Sequence, residues 1–109
     1  QSEIWESDKE YFDKNRIYDF GKYNLAEIVS IIKNLDLVIS VDTAILHISS
    51  ILNKETWGIF NIYPDWRWGA LDKINPYSSL TKINQTKFNQ WEDVTDKIYQ
   101  KLKDKFELN

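Results

Sequence analysis

Residues 37–52 read LVISVDTAILHISSIL, and this stretch decides the fold. Residues 37–41 are apolar and rich in β-branched side chains, which predicts a strand covered on both faces, as in a parallel sheet. The apolar residues of 43–52 lie almost all the way round a helix, which predicts a buried helix. Asp42 and Thr43 therefore lie where a strand passes into a helix. In open α/β sheets, ligands and especially phosphates bind at such a place.

The composition limits the class of protein. A chain of 109 residues with 42% hydrophobic and 15% aromatic residues has the length and the apolar content of one packed domain. A net charge of −3 argues against a general binder of nucleic acid or anionic membranes. There is no cysteine, which fits a reducing, cytoplasmic compartment. No run approaches the roughly 20 apolar residues of a membrane span.

Three other short segments are predicted to be strands. Residues 17–20 alternate apolar and polar side chains, residues 56–60 are apolar and β-rich, and residues 80–84 form a shorter candidate. The long segment 61–80 lacks clear periodicity and contains both prolines of the chain. A loop of that length is usually functional or disordered, and its aromatic residues argue against disorder.

Two amphipathic helices are predicted, one after the strand at residues 17–20 and one after the strand at residues 80–84. Asn24, with Glu27 three residues later, is a capping-box pattern that predicts a helix over residues 25–35, ended by Asn34 or Asp36. Asn89, with Glu92 three residues later, is predicted to cap the last helix, whose apolar stripe is Trp91, Val94, Ile98, Leu102 and Phe106. Strands that alternate with helices predict a three-layer α/β fold, with a mainly parallel sheet of three to four strands and helices packed on it.

Asp42 and Thr43 are the first candidate site residues. A helix N-terminus offers unpaired N–H groups and a partial positive charge, which suits a diphosphate. The N–H groups from Thr43 to Ile45 and the Thr43 hydroxyl would be the donors. The Asp42 carboxylate would repel a phosphate, so we assign it a sugar or ribose hydroxyl. The alternative is that Asp42 or Thr43 simply caps the helix.

His47 is the only histidine of the chain and follows Thr43 by four residues, so both lie on one helix face. It could donate a hydrogen bond to the same ligand, or it could be a satisfied core residue. With one histidine and no cysteine, a His-based zinc site and a Cys–His nucleophile are excluded, and no metal is expected. Three glycines are too few for a Gly-rich phosphate loop.

The second candidate is the segment PDWRW at residues 64–68. Indole faces such as those of Trp66 and Trp68 can stack on sugar rings or bases, and the Arg67 fork can hold a phosphate. This loop would project from the same carboxyl edge as Asp42. Alternatively, the two tryptophans pin the loop to the sheet and Arg67 pairs with a carboxylate.

The same motifs resemble a known family. LDLVISVDTA at residues 35–44, followed by His47, Trp57 and PDWRW at 64–68, resembles the C-terminal part of heptosyltransferase-like GT-B glycosyltransferases. These domains are often attached to tetratricopeptide repeats in bacterial proteins. The resemblance runs from about residue 17 to 106. It implies a partial Rossmann-like half of a GT-B fold that binds a nucleotide-sugar donor.

The resemblance also implies roles for single residues. These roles and the residues assigned above together give the candidate donor-binding set, which is Asp42, Thr43, Ala44, His47, Trp66 and Arg67. Relatives usually have glycine after the threonine, where this chain has Ala44, which leaves less room for a close backbone approach. No cofactor is implied beyond the donor substrate, a nucleotide-diphosphate sugar.

The family places its catalytic base and acceptor site in an N-terminal half. The resemblance therefore implies that residues 1–109 are a single C-terminal donor-binding domain of a longer chain, whose partner is that missing half and which is inactive alone. The whole enzyme would transfer a hexose or heptose to a saccharide, lipid or protein acceptor. The alternative is a non-catalytic interaction module that binds carbohydrate or protein through the Trp-rich loop.

Overall fold

A computed structural model describes residues 8–10, 14–18, 21–62 and 77–107. Residues 8–10 are helical. The elements that follow, in chain order, are α1 (Leu25–Lys33), β1 (Val38–Val41), α2 (Ala44–Ile51), β2 (Thr56–Phe60), β3 (Leu80–Asn84) and α3 (Glu92–Phe106). Within the described residues, no helix combines the length and the apolar character needed to cross a membrane.

The three described strands form one parallel sheet in the order β1–β2–β3. Val38 pairs with Thr56, and Thr56 pairs with Leu80 on its other side. The carboxyl ends of the strands therefore meet at one edge of the sheet. Asp42 directly follows β1 and lies at this edge. Helix α2 packs on one face and α3 on the other, so the predicted α/β architecture, with a parallel sheet between helices, is confirmed.

The face under α2 is held by a small apolar cluster. Leu46 of α2 packs on Phe60 and Leu80, and all three are buried. Gly58 lies between them, and a Cβ at that position would lie 2.7 Å from Leu46 Cδ1. Glycine at this point of β2 therefore lets α2 come close to the sheet.

The opposite face is covered by α3. Val94 packs against Trp57 and Ile83, and the three are buried. Lys101 of α3 places its Nζ atom 5.1 Å from the centre of the Trp57 ring, in a cation–π arrangement. The predicted apolar stripe of the last helix is thus confirmed at Val94, and also at Ile98 and Leu102, which pack on the same cluster.

Strand β1 is less covered than its sequence predicts. Ile39 and Val41 are exposed, Val41 by 53%. Their neighbours in register are Trp57 and Ile59, so they lie on the face that α3 covers. Helix α3 packs on Trp57 and Ile83 of that face, and its cover leaves Ile39 and Val41 of β1 exposed. The prediction of a strand buried on both faces is therefore wrong for β1.

Helix α2 is also not buried all the way round. Ile51 is 69% exposed, whereas Ser49 and Ser50 are buried. The serines tolerate burial because their hydroxyls donate to backbone carbonyls of the preceding turn, Ser49 to Ile45 at 2.9 Å and Ser50 to Leu46 at 2.7 Å. The Thr56 hydroxyl of β2 lies 2.9 Å from Ser49 Oγ and adds a hydrogen bond between helix and sheet.

The helix ends show which capping predictions hold. Asn24 and Glu27 form the predicted capping box, and α1 ends at Lys33 with Asn34 as C-cap, the earlier of the two predicted ends. Asn89 does not cap the last helix: it has φ 57° in a tight turn, and α3 begins at Glu92 after Trp91 as N-cap. 

The loop before α3 is tied to its first turn by a side-chain contact. The Thr86 hydroxyl donates to the Asp93 carboxylate, and this hydrogen bond lowers the pKa of Asp93. A carboxylate in the first helical turn also suits the helix dipole. The side-chain hydrogen bond at the start of α3 is therefore made by Thr86 and Asp93, and not by the predicted cap Asn89. Trp91, predicted for the apolar stripe, is exposed, as is Phe106.

The predicted strand at residues 17–20 is not seen where the structure describes it. Ile17 and Tyr18 are in no strand and are exposed. Asp19 and Phe20 lie outside the described residues. The alternation of apolar and polar side chains was too short to require a strand, since turn residues follow it directly at Gly21.

Candidate functional site

The candidate site begins at the junction of β1 and α2. Val41 ends β1, Asp42 and Thr43 follow, and Ala44 is the first residue of the helix. Thr43 is the N-cap residue with extended backbone angles, φ −137° and ψ 175°. Asp42, Thr43 and Ala44 are all exposed at the carboxyl edge of the sheet. The strand-to-helix junction thus has the position that the sequence predicts.

The Thr43 side chain does not cap α2. Its hydroxyl makes no hydrogen bond to the N–H groups of the first turn. It lies 3.1 Å from Ser40 Oγ and 3.4 Å from the Val41 carbonyl oxygen, so it is turned back toward β1. The interpretation of Thr43 as a capping side chain is therefore wrong. The N–H groups at the start of α2 face the edge without a cap from this residue, as an anion site requires.

The side chain of Asp42, just before α2, is in contact with the side chain of His47, which lies in the first turns of the helix. The distance from Asp42 Oδ1 to His47 Nε2 is 3.6 Å, and the two side chains are 29% and 33% exposed. The contact is an ion pair whenever the imidazole is protonated. Sequence reasoning grouped His47 with Thr43 by helical spacing, whereas the structure places it in contact with Asp42.

Tyr77 is a member of this cluster that sequence reasoning did not assign to the site. Its hydroxyl lies 3.1 Å from His47 Nδ1, and the two rings meet edge to face with centroids 5.9 Å apart and planes at 78°. Tyr77 also packs on the buried cluster under α2. The two residues are 30 positions apart, and an aromatic side chain in a long loop was the only signal in the sequence.

Trp66 and Arg67 lie outside the described residues, so their predicted place in the cleft stays a prediction. Ile62, the last described residue before residues 63–76, is held by a buried side chain. Gln85 accepts a hydrogen bond from the Ile62 backbone N–H at its Oε1 atom, over 3.1 Å. Because Gln85 directly follows β3, Ile62 lies at the carboxyl edge of the sheet, the edge where Asp42 lies.

The polar groups of the site are of the kind that bind sugars and phosphates. A carboxylate, an imidazole, hydroxyls and helix N–H groups offer both acceptors and donors at one edge. In the described part of the chain, no three carboxylate or imidazole side chains gather as metal ligands would. The arrangement fits recognition by hydrogen bonds and by the helix dipole.

The comparison with protein families gives one result. Residues 4–102 match the sequence model of glycosyltransferase family 9 (heptosyltransferase). Searches among curated proteins and among solved structures found no significant match. The matched range contains the three described strands and the residues Asp42, Thr43, His47 and Tyr77. The chain therefore belongs to glycosyltransferase family 9, the heptosyltransferase family, and its role is in glycosyl transfer.

Proposed function

We propose that this chain binds the nucleotide-sugar donor of a glycosyltransferase at the carboxyl edge of its sheet. The observation that carries the proposal is the start of α2, where Thr43 leaves the first-turn N–H groups without a side-chain cap and Asp42 and His47 lie beside them. Family membership supplies the class of reaction. The geometry supplies the groups that would recognise a diphosphate and a sugar.

The diphosphate is assigned to the start of α2. The N–H groups of Ala44 and Ile45, together with the Thr43 hydroxyl, would donate to its oxygens, and the helix dipole favours the negative charge. Ala44 occupies the position where a glycine would allow the closest approach, so its methyl group limits how near the diphosphate comes. This limit predicts weaker binding than in a chain with glycine there.

The sugar and ribose hydroxyls are assigned to Asp42. An ionised carboxylate only accepts hydrogen bonds, so it recognises hydroxyl donors and repels phosphate oxygens. His47 Nε2 lies 3.6 Å from Asp42 and would share the same bound group as a donor. Trp66 and Arg67 are proposed to close the site by stacking on the sugar or base and by holding a phosphate.

These groups would help the reaction through the leaving nucleotide. When the bond between the sugar and the diphosphate breaks, negative charge grows on the diphosphate oxygen that leaves. Donors and a helix N-terminus fixed in advance at that oxygen stabilise the charge without reorganising. We propose that the acceptor and its general base belong to an N-terminal half of a longer GT-B enzyme. This chain would be the C-terminal domain of that enzyme and inactive by itself.

The finer parts of the proposal follow the resemblance. The transferred sugar is a hexose or a heptose, and the acceptor is a saccharide, a lipid or a protein. The whole protein is proposed to be bacterial and cytoplasmic, with tetratricopeptide repeats next to this domain. No nucleic-acid partner and no cofactor other than the donor substrate are part of the proposal.

A nuclear magnetic resonance titration tests donor binding. ADP-, UDP- and GDP-linked sugars are added in turn to the isotope-labelled chain. We expect one of them to change the chemical shifts of the backbone amides of residues 42–47. The matched control is the corresponding free sugar, which lacks the diphosphate and should leave the α2 amides in place. Absence of shifts at residues 42–47 with all three donors, in this chain and in the full-length protein, overturns the proposal.

The interaction-module alternative predicts a different response. It depends on residues 64–68, which lie outside the described residues. Tryptophan fluorescence separates the two: quenching by nucleotide alone supports donor binding. A response to glycans that is independent of nucleotide supports the interaction module instead.

A further inference from the structure

We propose that Ser40 is a positioning residue that holds the Thr43 hydroxyl beside β1 and so keeps the first N–H groups of α2 open for the diphosphate. This inference rests on the proposed function for its consequence in binding. Its structural part, the control of the Thr43 side chain by Ser40, can be tested without any ligand. The uncapped start of α2 is then maintained by one residue of the preceding strand.

Thr43 has the backbone and the residue type of a helix cap, but its side chain does not cap. Its extended angles, φ −137° and ψ 175°, suit an N-cap residue, and threonine is among the residues favoured there. A capping hydroxyl accepts from the N–H group of the second or third helical residue, here Ile45 or Leu46. The Thr43 hydroxyl accepts from neither. Because the backbone is already in place, a rotation about χ1 of Thr43 would suffice to form the cap.

The Thr43 hydroxyl is held instead by contacts with β1. Ser40 Oγ lies 3.1 Å away, and either hydroxyl can be the donor of that hydrogen bond. The Val41 carbonyl oxygen lies 3.4 Å away, which is long compared with the usual distance of about 2.7–2.8 Å for a hydroxyl donor. Ser40 is thus the closer of the two polar contacts, and a single substitution can remove it.

The Ser40 side chain is itself fixed to the strand. It is half-buried on β1, and its hydroxyl lies 2.8 Å from the Val41 carbonyl oxygen. If Ser40 donates to that carbonyl, Thr43 donates to Ser40. If Ser40 donates to Thr43, the Thr43 hydrogen is left for the Val41 carbonyl. Both arrangements keep the Thr43 oxygen beside β1, so its position does not depend on which hydroxyl donates.

A capping Thr43 would compete with a bound diphosphate. The Leu46 N–H already donates to the Thr43 carbonyl oxygen over 3.1 Å, so the Ile45 N–H is the group that a cap would take. This group lies in the first turn, where the helix offers it no acceptor, and it is one of those assigned to the diphosphate. A diphosphate would then have to displace the Thr43 oxygen. A cap typically shifts an equilibrium about fivefold, so its presence would weaken binding measurably.

The structural test is Ser40→Ala, with Ser40→Thr as the matched control that keeps a hydroxyl at residue 40. Nuclear magnetic resonance without ligand gives the χ1 rotamer of Thr43, from three-bond couplings to its methyl carbon, and the solvent exchange of the Ile45 amide. In Ser40→Ala we expect a different Thr43 rotamer and about fivefold slower exchange at Ile45, because this amide gains the cap. Ser40→Thr should match the unmodified chain in both measurements.

Inorganic pyrophosphate is the probe for the consequence in binding. Calorimetry should show an affinity about two- to tenfold lower in Ser40→Ala than in the unmodified chain, since the cap has to be displaced. The same substitution is then made in Thr43→Val, which has no hydroxyl to cap with. In that background Ser40→Ala should leave the affinity unchanged, whereas general damage to β1 would lower it in both backgrounds.

The outcomes separate this inference from the proposed function. A Thr43 rotamer that places its oxygen on the Ile45 N–H in the unmodified chain overturns it, and this measurement needs no variant to fold. An unchanged rotamer and exchange rate in Ser40→Ala, or an equal loss of affinity in both backgrounds, also overturns it. If the rotamer changes and the affinity does not, the positioning role in binding is overturned. If the rotamer and exchange change as expected but neither pyrophosphate nor a sugar nucleotide binds the unmodified chain, the proposed function fails and the control of Thr43 by Ser40 stands.

Discussion

Gly58 of β2 lies directly under Leu46 of α2, so closely that a Cβ at residue 58 would be 2.7 Å from Leu46 Cδ1 and 2.8 Å from Phe60 Cε2. Carbon atoms in packed cores lie about 3.5–4.0 Å apart. The helix can approach the sheet at this point only because the strand has no side chain there. Asp42, Thr43 and His47 are positioned by the same helix.

We expect Gly58→Ala to lower the free energy of unfolding by about 1–3 kcal/mol, the usual cost of overpacking a core. Leu46 and Phe60 would have to move, because both are buried. Urea unfolding followed by circular dichroism measures the change. Thr81→Ala, at an exposed position of β3, is the control and should cost about 0.5 kcal/mol or less. Equal stability of Gly58→Ala and the unmodified chain would contradict the packing described.

The buried hydroxyls of Ser49 and Thr56 provide a second prediction. Both side chains are fully buried and their oxygens are 2.9 Å apart. Thr56→Val keeps the shape and removes the hydroxyl, which lies 2.9 Å from Ser49 Oγ and 2.8 Å from the Lys54 carbonyl oxygen, so we expect a loss of about 1 kcal/mol. Thr95→Val, at an exposed position of α3, should have a smaller effect. Chemical denaturation of Ser49→Ala, Thr56→Val and the double variant should give non-additive losses, because the two groups are partners. Additive losses would mean that the pair is not coupled.

The pair of Glu55 and Lys105 predicts a pH dependence. Lys105, on α3, donates a hydrogen bond to the carboxylate just before β2 and holds the pKa of Glu55 below its usual value. A lowered folded-state pKa adds stability above the unfolded-state pKa of about 4.3, and this stability is lost as the pH falls through the folded-state pKa. Both side chains are partly exposed, so solvent and salt keep the effect small.

Thermal unfolding between about pH 3 and pH 7 checks this dependence. Glu55→Gln should have a flatter curve than the unmodified chain, with the difference disappearing at the acid end. Lys105→Gln should give the same flattening, because it removes the donor instead of the acceptor. Curves of Glu55→Gln and the unmodified chain that stay parallel over the whole range would contradict a lowered pKa.

Asp42→Asn tests the assignment of sugar or ribose hydroxyls to this carboxylate. Hydrogen bonds to a charged group contribute about 1.5–3 kcal/mol, so affinity for the sugar nucleotide should fall about tenfold or more. Affinity for inorganic pyrophosphate should stay level or rise, since a repulsive negative charge is removed. Calorimetry measures both. Asp36→Asn, at an exposed position before β1, is the control. A loss of pyrophosphate affinity in Asp42→Asn would contradict the assignment.

Local patterns in the sequence predicted those features that depend on neighbouring residues. The strands at 56–60 and 80–84 have the predicted bounds, and Asn24 and Glu27 form the predicted capping box. Asn89 with Glu92 is the same capping pattern and failed, since Asn89 adopts φ 57° in a turn. Asparagine tolerates both the capping and the left-handed conformation, and the sequence does not choose between them.

Burial and long-range contacts could not be predicted in the same way. Ile39 has the residue type of a core strand, but whether it is covered depends on how far α3 extends over the sheet. The strand–helix junction at Asp42 and Thr43 was predicted correctly, and the assignment of a ligand site to it stays a prediction. Tyr77 was not assigned to it, because a contact with His47 across 30 positions leaves no spacing in the sequence to read.

The uneven cover of the sheet also determines the order in which its amide hydrogens should exchange with solvent. β1 has one neighbouring strand among the described residues and an open face at Ile39, whereas β2 is central and Trp57 is buried. Partial opening should therefore release β1 before β2. Because Asp42 directly follows β1, a donor bound as proposed would have to leave before that strand opens, and it would slow exchange there. The proposed donor binding would then be measurable as protection of a strand that the ligand does not touch.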